Sequence, residues 1–477
     1  MTAMTTLRRL YYRCTARLAW RRLHSLKYEQ VMRQADRAAL RAFHRAAKRV
    51  PAYRNFLAEG GVDPARVTDI EAFRRLVPLT DKSSVFTANG LPSLCVDGRV
   101  DDIACIYTSS GYSGEFSFGV ETVSDMRRGQ QALDLLLEMY LGVASKATLL
   151  VNALPMGVRV PARLPIVLDT GTRSDAVLAV VRKLARVVRQ VIIVAEHPFL
   201  KKVLEDGLGA GMNWPDYRVS LVTGGALVPE AFRAYAGGIL GHDPDDQATG
   251  RAFLNFGVSE LALTVGIETD ACCRLRSHAW REPGLRQALF GNVPFLPTFI
   301  QYFPDFLCLE TPESDDGKTR LAVTTADARR RLPLIRYGTG DWAKVLPYSE
   351  VCAALHACGR TDLLPNIRLP FLALWGRGRS VSVDGCDVFP EQINEGIYTD
   401  ALAASAVTGQ FRMGAEGGEL HVAFQMKPGV VSQPDLADRL RTALGQWTGV
   451  PLCVELIPYN GFTEALELSY QRKFRYL

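Results

Sequence analysis

The chain lacks an apolar run long enough to cross a bilayer as a helix. Its best stretch, Ala176 to Ala195, is interrupted by Arg182, Lys183, Arg186 and Arg189, where about 20 predominantly apolar residues are needed. It has ten cysteines but no framework among them. Neither the Cys272-Cys273 pair nor Cys352 with Cys358 has C-x-x-C spacing, and adjacent cysteines are poorly placed to ligate one ion together. The N-terminus carries arginines without a clean apolar core of the signal-peptide kind. Reduced thiols in a cytoplasmic protein without structural zinc are therefore expected. No Gly-Lys-Ser/Thr follows the chain's glycine–serine loop, so that loop is not of the Walker type. No G-x-G-x-x-G follows the first strand-like run, which counts against a dinucleotide oxidoreductase. Internal repeats and low-complexity tracts are absent as well.

With 477 residues, the chain is too long for one compact core, and two or three domains are expected. Apolar residues make up 48% and charged residues 22%, an ordinary balance for a soluble globular protein. The net charge of +6 is mild. It does not indicate nucleic acid, and it is compatible with an anionic nucleotide substrate.

Acid is nearly missing from residues 1–50, where thirteen Lys and Arg face only Glu29 and Asp36. Leu7, Leu10, Tyr11, Cys14 and Leu18 recur there at helical spacing, with Trp20 off the stripe. The plain expectation is a pair of surface helices with a solvated basic face. The sharper one is an interfacial helix that meets anionic lipid or an acidic carrier partner.

From residue 51 helical and strand patterns alternate. Helices are expected at Val123–Leu141, Ser174–Arg189, Pro198–Asp206 and Pro229–Ile239, and strands at Ile103–Tyr107, Ala147–Ala153, Val191–Ala195 and Val219–Thr223. That alternation predicts an α/β domain with a largely parallel sheet, spanning 51–375. A composition break at Trp375-Gly376-Arg377-Gly378-Arg379 opens a small α+β domain, 376–477. There, helices are expected at Glu391–Tyr398 and Gln433–Trp447, and strands at Ala403–Val407, Glu419–Met426 and Leu452–Ile457.

Five loops and one terminal lysine carry the chemistry. Tyr107-Thr108-Ser109-Ser110-Gly111-Tyr112-Ser113-Gly114 follows a strand-like run. Its glycines let backbone N–H groups and hydroxyls approach a polyphosphate, although serine–glycine clusters are commonly plain turns. Thr223-Gly224-Gly225-Ala226 opens from a strand end, where ligands sit in open α/β sheets. In Asn255-Phe256-Gly257-Val258-Ser259-Glu260, the ring of Phe256 can stack on a nucleobase and Ser259 can bond a phosphate. Glu260 can hold Mg²⁺, a hard ion that prefers carboxylate oxygen. Asp341, in Gly338-Thr339-Gly340-Asp341, can accept two hydrogen bonds from a ribose diol. Gly376-Arg377 marks the domain break, and Lys473 lies near the C-terminus. Taken singly, each fits an ordinary turn, cap or solvated tail residue.

The ordered set resembles the adenylate-forming superfamily of acyl-CoA synthetases, condensation adenylation domains and luciferases. Within it the chain is most similar to the phenylacetate–CoA ligase branch, which includes capsule-biosynthesis relatives. The stretches Ala47-Lys48-Arg49-Val50-Pro51-Ala52-Tyr53-Arg54 and Pro78-Leu79-Thr80-Asp81-Lys82 share in the likeness, which covers residue 45 onward. The resemblance implies a large α/β domain with parallel-rich sheets and a small mobile α+β lid. It also implies ATP-dependent activation of a carboxylic acid as an acyl-adenylate with release of pyrophosphate, then transfer to coenzyme A or a carrier-protein phosphopantetheine. An amine acceptor, or a non-catalytic nucleotide-binding relative, stands as the alternative. A homodimer is compatible with the sequence.

By the same resemblance, Ser109, Ser110, Gly111, Ser113 and Gly114 form the phosphate loop, and Gly224, Gly225 and Ala226 the adenine-side turn. Asn255, Phe256, Gly257, Ser259 and Glu260 serve adenine, phosphate and Mg²⁺. Asp341 holds the ribose, Arg377 precedes the hinge, and Lys473 is the catalytic lysine. The acid would lie between residues 150–157 and the loops after Thr223 and Glu260. The sequence departs from the pattern at Tyr112, Glu115, Ala226, Gly378-Arg379-Ser380 and Arg472.

Overall fold

The computed structural model of the protein describes residues 3–108, 117–155, 157–225, 227–243, 249–261, 263–314, 316–430, 435–462 and 476. A hairpin of β1 (Ile103–Thr108) and β2 (Phe118–Thr122) precedes the main sheet. That sheet has eleven strands. Its first part comprises β3 (Thr148–Asn152), β4 (Ile166–Asp169), β5 (Gln190–Ala195), β6 (Val219–Thr223) and β7 (Ala252–Val258). Its second part comprises β8 (Leu263–Ile267), β9 (Thr298–Gln301), β10 (Leu307–Glu310), β11 (Arg320–Thr325), β12 (Tyr337–Leu346) and β13 (Phe371–Gly376).

Across the sheet the order is β4-β3-β5-β6-β7-β8-β9-β13-β12-β11-β10. From β4 to β7 every pair is parallel, and from β7 to β10 every pair is antiparallel. The parallel strands β3 and β5 are buried along their whole length, as continuous Leu/Val/Ile runs covered on both faces should be. This is a mixed α/β fold whose large sheet joins a parallel part, β4 to β7, to an antiparallel part, β7 to β10. β7 is the strand at which the sheet changes from parallel to antiparallel.

The sequence places most elements within a residue or two: Val123–Leu141, Val219–Thr223, Glu419–Met426 and Leu452–Ile457 have those limits in the structure. Three expectations need correction. The helix expected over Ser174–Arg189 stops at Leu184 and ends in a short 3₁₀ turn, Ala185–Val187. Ala403–Val407 is not a strand. A helix runs over Ala401–Ala406, capped by the Asp400 carboxylate on the Ala403 amide, and the strand begins only at Val407. A run of alanines after an aspartate favours a capped helical turn over a strand. The N-terminal pair, Ala3–Ser25 and Tyr28–Arg49, is not wholly superficial. The second helix buries Val31, Ala35, Ala39, Phe43 and Ala46, and Phe43 packs edge-on to Phe73.

After Gly376 come a two-stranded ribbon, β14 (Val381–Val383) with β15 (Cys386–Val388), and a three-stranded sheet. In that sheet β16 (Val407–Glu416) is antiparallel to β17 (Glu419–Met426), which is parallel to β18 (Leu452–Ile457). Helices Pro390–Thr399 and Leu436–Thr448 complete this region. One hydrophobic core continues across the junction. Tyr398 lies with its ring 5.2 Å from Phe232 and 5.7 Å from Tyr235. The buried Lys201 donates to the Val407 carbonyl at 2.7 Å.

Candidate active site

The carboxyl ends of β5, β6 and β7 lie side by side, and those of β6 and β7 run into residues of the expected site. Glu196 follows β5. Gly224 and Gly225 follow β6. Ser259 and Glu260 form the 3₁₀ turn that joins β7 to β8. Gly225 has φ +85°, and a Cβ there would stand 2.3 Å from Glu196 Oε1. Glycine is required twice over: for the left-handed backbone and for the carboxylate packed on it. At Gly224 a Cβ would stand 3.5 Å from the Asn255 carbonyl on the neighbouring strand, an ordinary contact. Phe256 is half-buried against the main core, and Gly257 is exposed in β7.

Glu260 is the centre of the arrangement. Its Oε1 accepts from Ser117 Oγ at 2.7 Å and from the Tyr337 hydroxyl at 3.3 Å, and its Oε2 from Ser259 Oγ at 2.9 Å. Burial, and then the Glu260 charge, push the Tyr337 phenol well up, so it stays protonated and donates. Ser117 lies three residues after the glycine–serine loop and leads into β2. Tyr337 opens β12. Glu260 therefore draws together the flank of the first motif, the third motif and the strand that carries the fourth. Sequence reading missed Ser117, which has no signal beyond its nearness to the glycine–serine loop. Tyr337 stands within the stretch 334–341 that carries the fourth motif, but no role was read for it.

Four residues along β12, Asp341 has a half-buried carboxylate. It accepts from Thr339 Oγ1 at 2.9 Å and pairs with Arg377 Nε at 3.1 Å. Arg377 also donates to the Thr339 carbonyl at 2.8 Å. The fourth and fifth motifs are thus joined directly. Gly376, the last residue of β13, has φ +75° and sets the chain's direction into Arg377. The segment around Thr80 is fastened to the same strand: Gly338 N donates to the Thr80 carbonyl at 2.7 Å and Thr80 N to the Arg336 carbonyl at 3.0 Å.

Ser109, Ser110, Gly111, Ser113, Gly114, Ala226 and Lys473 lie outside the described residues, as do Tyr112, Glu115 and Arg472. Near Lys473, Tyr476 is described: its ring stacks on Phe411 with centroids 4.2 Å apart, and its carbonyl accepts from Met413 N. The chain end therefore returns to β16.

No protein-family model matches the chain, and no curated protein matches it by sequence. Solved structures do match in three dimensions. 2-Hydroxyisobutyryl-CoA ligase in the postadenylation state, in complex with 2-HIB-AMP, superposes with a TM-score of 0.66 at 14% identity, over 94% of this chain and 88% of that one. The chain shares the fold of that CoA ligase. The same ligase with 2-HIB-AMP and CoA in the thioesterification state gives 0.54 at 14% identity, over 94% and 90% of the two chains. Its open conformation with 2-HIB-AMP and CoA gives 0.52 at 14% identity, over 92% and 91%. The fold of that CoA ligase is thereby shown, and the phenylacetate–CoA ligase branch is a finer assignment than this likeness reaches.

The donor set around Glu260 is all oxygen, which suits a hard cation. Its oxygens come from one carboxylate and the hydroxyls of Ser117, Ser259 and Tyr337. Among the described residues, no group of three His, Cys, Asp or Glu converges on a point. An all-protein metal cage is not what such a set offers. One carboxylate completed by substrate phosphates is how Mg²⁺ is commonly held.

Proposed function

We propose that this protein activates a carboxylic acid with ATP, forming an acyl-adenylate and pyrophosphate, and then passes the acyl group to a thiol. The observation that carries the reading is the Glu260 cluster at the parallel-to-antiparallel switch, tied through β12 to the Asp341–Arg377 pair, in a chain with the adenylate-forming fold. An open α/β sheet binds ligands at the carboxyl ends of its strands. Phe256 and the Gly224-Gly225 turn serve the adenine side, with Asn255 beside them. Asp341 takes the ribose hydroxyls, and Arg377 fixes the orientation of its carboxylate.

In the first half-reaction a carboxylate oxygen attacks the α-phosphorus, the bond to the bridging oxygen breaks, and pyrophosphate leaves with that electron pair. Such a displacement needs positioning and charge stabilisation more than covalent help. Mg²⁺ held by Glu260 would supply neutralisation of phosphate charge. Ser259, on the same turn, donates to phosphate, and Lys473 acts beside the α-phosphate oxygens as charge moves onto them. Ser109, Ser110, Gly111, Ser113 and Gly114 close over the polyphosphate. In the second half-reaction a thiolate attacks the acyl carbonyl and AMP leaves. Coenzyme A or a carrier-protein phosphopantetheine is the acceptor within this reading, and the small region from 376 onward moves between the two steps. The phenylacetate–CoA ligase branch, an aryl or small aliphatic acid, and a cytoplasmic location complete it.

The test is ATP–pyrophosphate exchange across a panel of aryl, aliphatic and amino acids. Acid-dependent exchange is expected, lowered about a hundredfold in Lys473→Ala, the equivalent of roughly 3 kcal/mol, and abolished in Glu260→Ala. ATP binding without exchange for any acid would replace this reading with a nucleotide-binding relative that does no chemistry.

A further inference from the structure

The N-terminal helix Ala3–Ser25 has two apolar faces, and only one has a partner. Its inner face is seated on the body. Tyr12 is buried beside Leu137 and Leu141, Ala16 is buried, and Trp20 lies 5.5 Å from the Tyr140 ring. Its outer face is Leu7, Tyr11, Cys14 and Leu18, which fall within about 60° of one another at the helical period, with Leu10 at the margin. These are not marginal exposures: Leu7 is 66%, Leu10 53%, Tyr11 64% and Leu18 63% exposed.

Arg17 and Arg21 border this stripe on one side and Arg8 and Arg22 on the other. The helix contains no acidic residue. Among the described residues, no carboxylate forms an ion pair with any of these four arginines; Arg8 donates to the Arg163 carbonyl.

An ordinary solvated helix keeps its apolar side for the core and its charges outside. Here the outward side is apolar at the centre and cationic along both edges. We infer that this face is a peripheral membrane-docking surface, which lays Leu7, Tyr11 and Leu18 into the interface of an anionic lipid bilayer while the flanking arginines meet the headgroups. The chemistry is that of an interfacial helix: an apolar strip to insert, arginines whose stems lie along it, and no negative charge to repel an anionic surface.

A second copy of the chain fits the surface poorly. Apposing two such stripes brings arginine against arginine with no acid to relieve them. A protein pocket is a poorer match than a plane, because the face is a convex strip without a concavity to receive a side chain. No described helix is long and apolar enough to cross a membrane, so the contact is peripheral.

The measurement is co-sedimentation of the full chain with vesicles of phosphatidylcholine alone and of phosphatidylcholine with phosphatidylglycerol. Binding to the anionic vesicles only, weakened by salt, is expected. The double variant Leu7→Ser/Leu18→Ser should lose at least about tenfold in partitioning. Arg17→Gln/Arg21→Gln should lose affinity at low salt. Both pairs are exposed, so unchanged thermal unfolding verifies that the fold is intact; should either variant unfold early, Tyr11→Ser alone replaces it.

The inference is overturned if anionic vesicles do not bind, or if the serine variant binds them as well as the parent. It is also overturned if the stripe instead supports self-association in sedimentation velocity, or captures a purified acidic carrier protein while vesicles are ignored. None of these outcomes bears on adenylation, which the exchange assay reads separately.

Discussion

Glu260 accepts three hydroxyl donors: Ser117 comes from a position that no motif marks, and Tyr337 from a motif position to which no role was given. A hydrogen bond to a charged group contributes about 1.5–3 kcal/mol, so removing one should be visible in catalysis. Tyr337→Phe keeps the ring, which lies 6.0 Å from Phe86, and deletes only the donor. ATP–pyrophosphate exchange should fall about tenfold, with thermal stability nearly unchanged. Equal activity in parent and variant would mean that Tyr337 packs beside Glu260 without orienting it. The candidate residues at this scale were singled out where the chain concentrates unusual types: Gly224-Gly225, Phe256 through Glu260, and Asp341. Ser117 was not singled out, and Tyr337 was read only as part of the stretch that ends at Asp341. They reach Glu260 across 143 and 77 positions of sequence separation, and only the pairing of β1 with β2 and the placement of β12 brings them there.

Elements were easier to read than contacts, because periodicity and caps are local. Thr122 and Asp125 form a reciprocal capping box at the start of Val123–Leu141, and Gly142 ends that helix in the left-handed conformation; both ends were readable. Ala403–Val407 failed because a β-branched residue and alanines were given to one element, whereas Asp400 starts a helix and Val407 a strand. The order of the eleven strands was not readable at all, since no local signal tells β7 that β8 rather than another strand will pair with it.

The strand-end turn after β6 makes a quantitative case at this scale. Gly225→Ala meets both a positive φ and the Glu196 carboxylate. A drop in stability of about 1–3 kcal/mol is expected from the backbone alone, read by urea unfolding. Glu196→Ala in the same chain should relieve the clash and leave the backbone term, so the two substitutions should couple in a double-mutant cycle. Strict additivity would show that the side chains do not meet.

The junction helix Pro390–Thr399 offers a second case. Its Glu395 is buried, and it accepts from the Glu230 and Ala231 amides at 2.8 and 2.9 Å. Burial pushes its carboxyl up to about 7 from an ordinary 4.5, against the pull of the Ala231 amide, Arg276 and the Glu230 amide. A carboxyl whose folded value is raised binds its proton more tightly in the native state. Its favourable contribution is therefore present below about 4.5 and is lost as pH rises through about 7. Stability should decline from pH 5 toward 8, on the order of the pKa interval cited, and Glu395→Gln should flatten that slope. A slope unchanged by the substitution would assign the titration to another group.

At the scale of the whole molecule, the arrangement seen is one of at least two that the proposed chemistry requires. The same ligase superposes better in its postadenylation state than in its thioesterification state, with TM-scores of 0.66 and 0.54. Covered lengths are nearly equal, so the difference is one of arrangement. The break at Gly376-Arg377-Gly378 is an expectation from composition. The tight packing across it had no such signal, because Tyr398 on Phe232 and Lys201 on Val407 join distant segments whose faces have no sequence signature.

Gly376 is where the two arrangements can be separated by backbone chemistry. It has φ +75° here, and an added Cβ would stand 3.0 Å from Leu227 Cδ1. Gly376→Ala therefore penalises this arrangement by about 1–2 kcal/mol, while a rotated one in which residue 376 takes negative φ bears no such cost. By population shift, the substitution should depress ATP–pyrophosphate exchange several-fold. Thioester formation from a pre-made acyl-adenylate should be spared or raised. Both rates must be measured on one preparation, because a merely unstable protein loses them together. An equal fall in the two half-reactions would make Gly376 a structural glycine and leave the proposed motion without a pivot at that residue. A split between them would place the pivot at the junction of β13 with Arg377, where the same residue that turns the chain also delivers the guanidinium to Asp341.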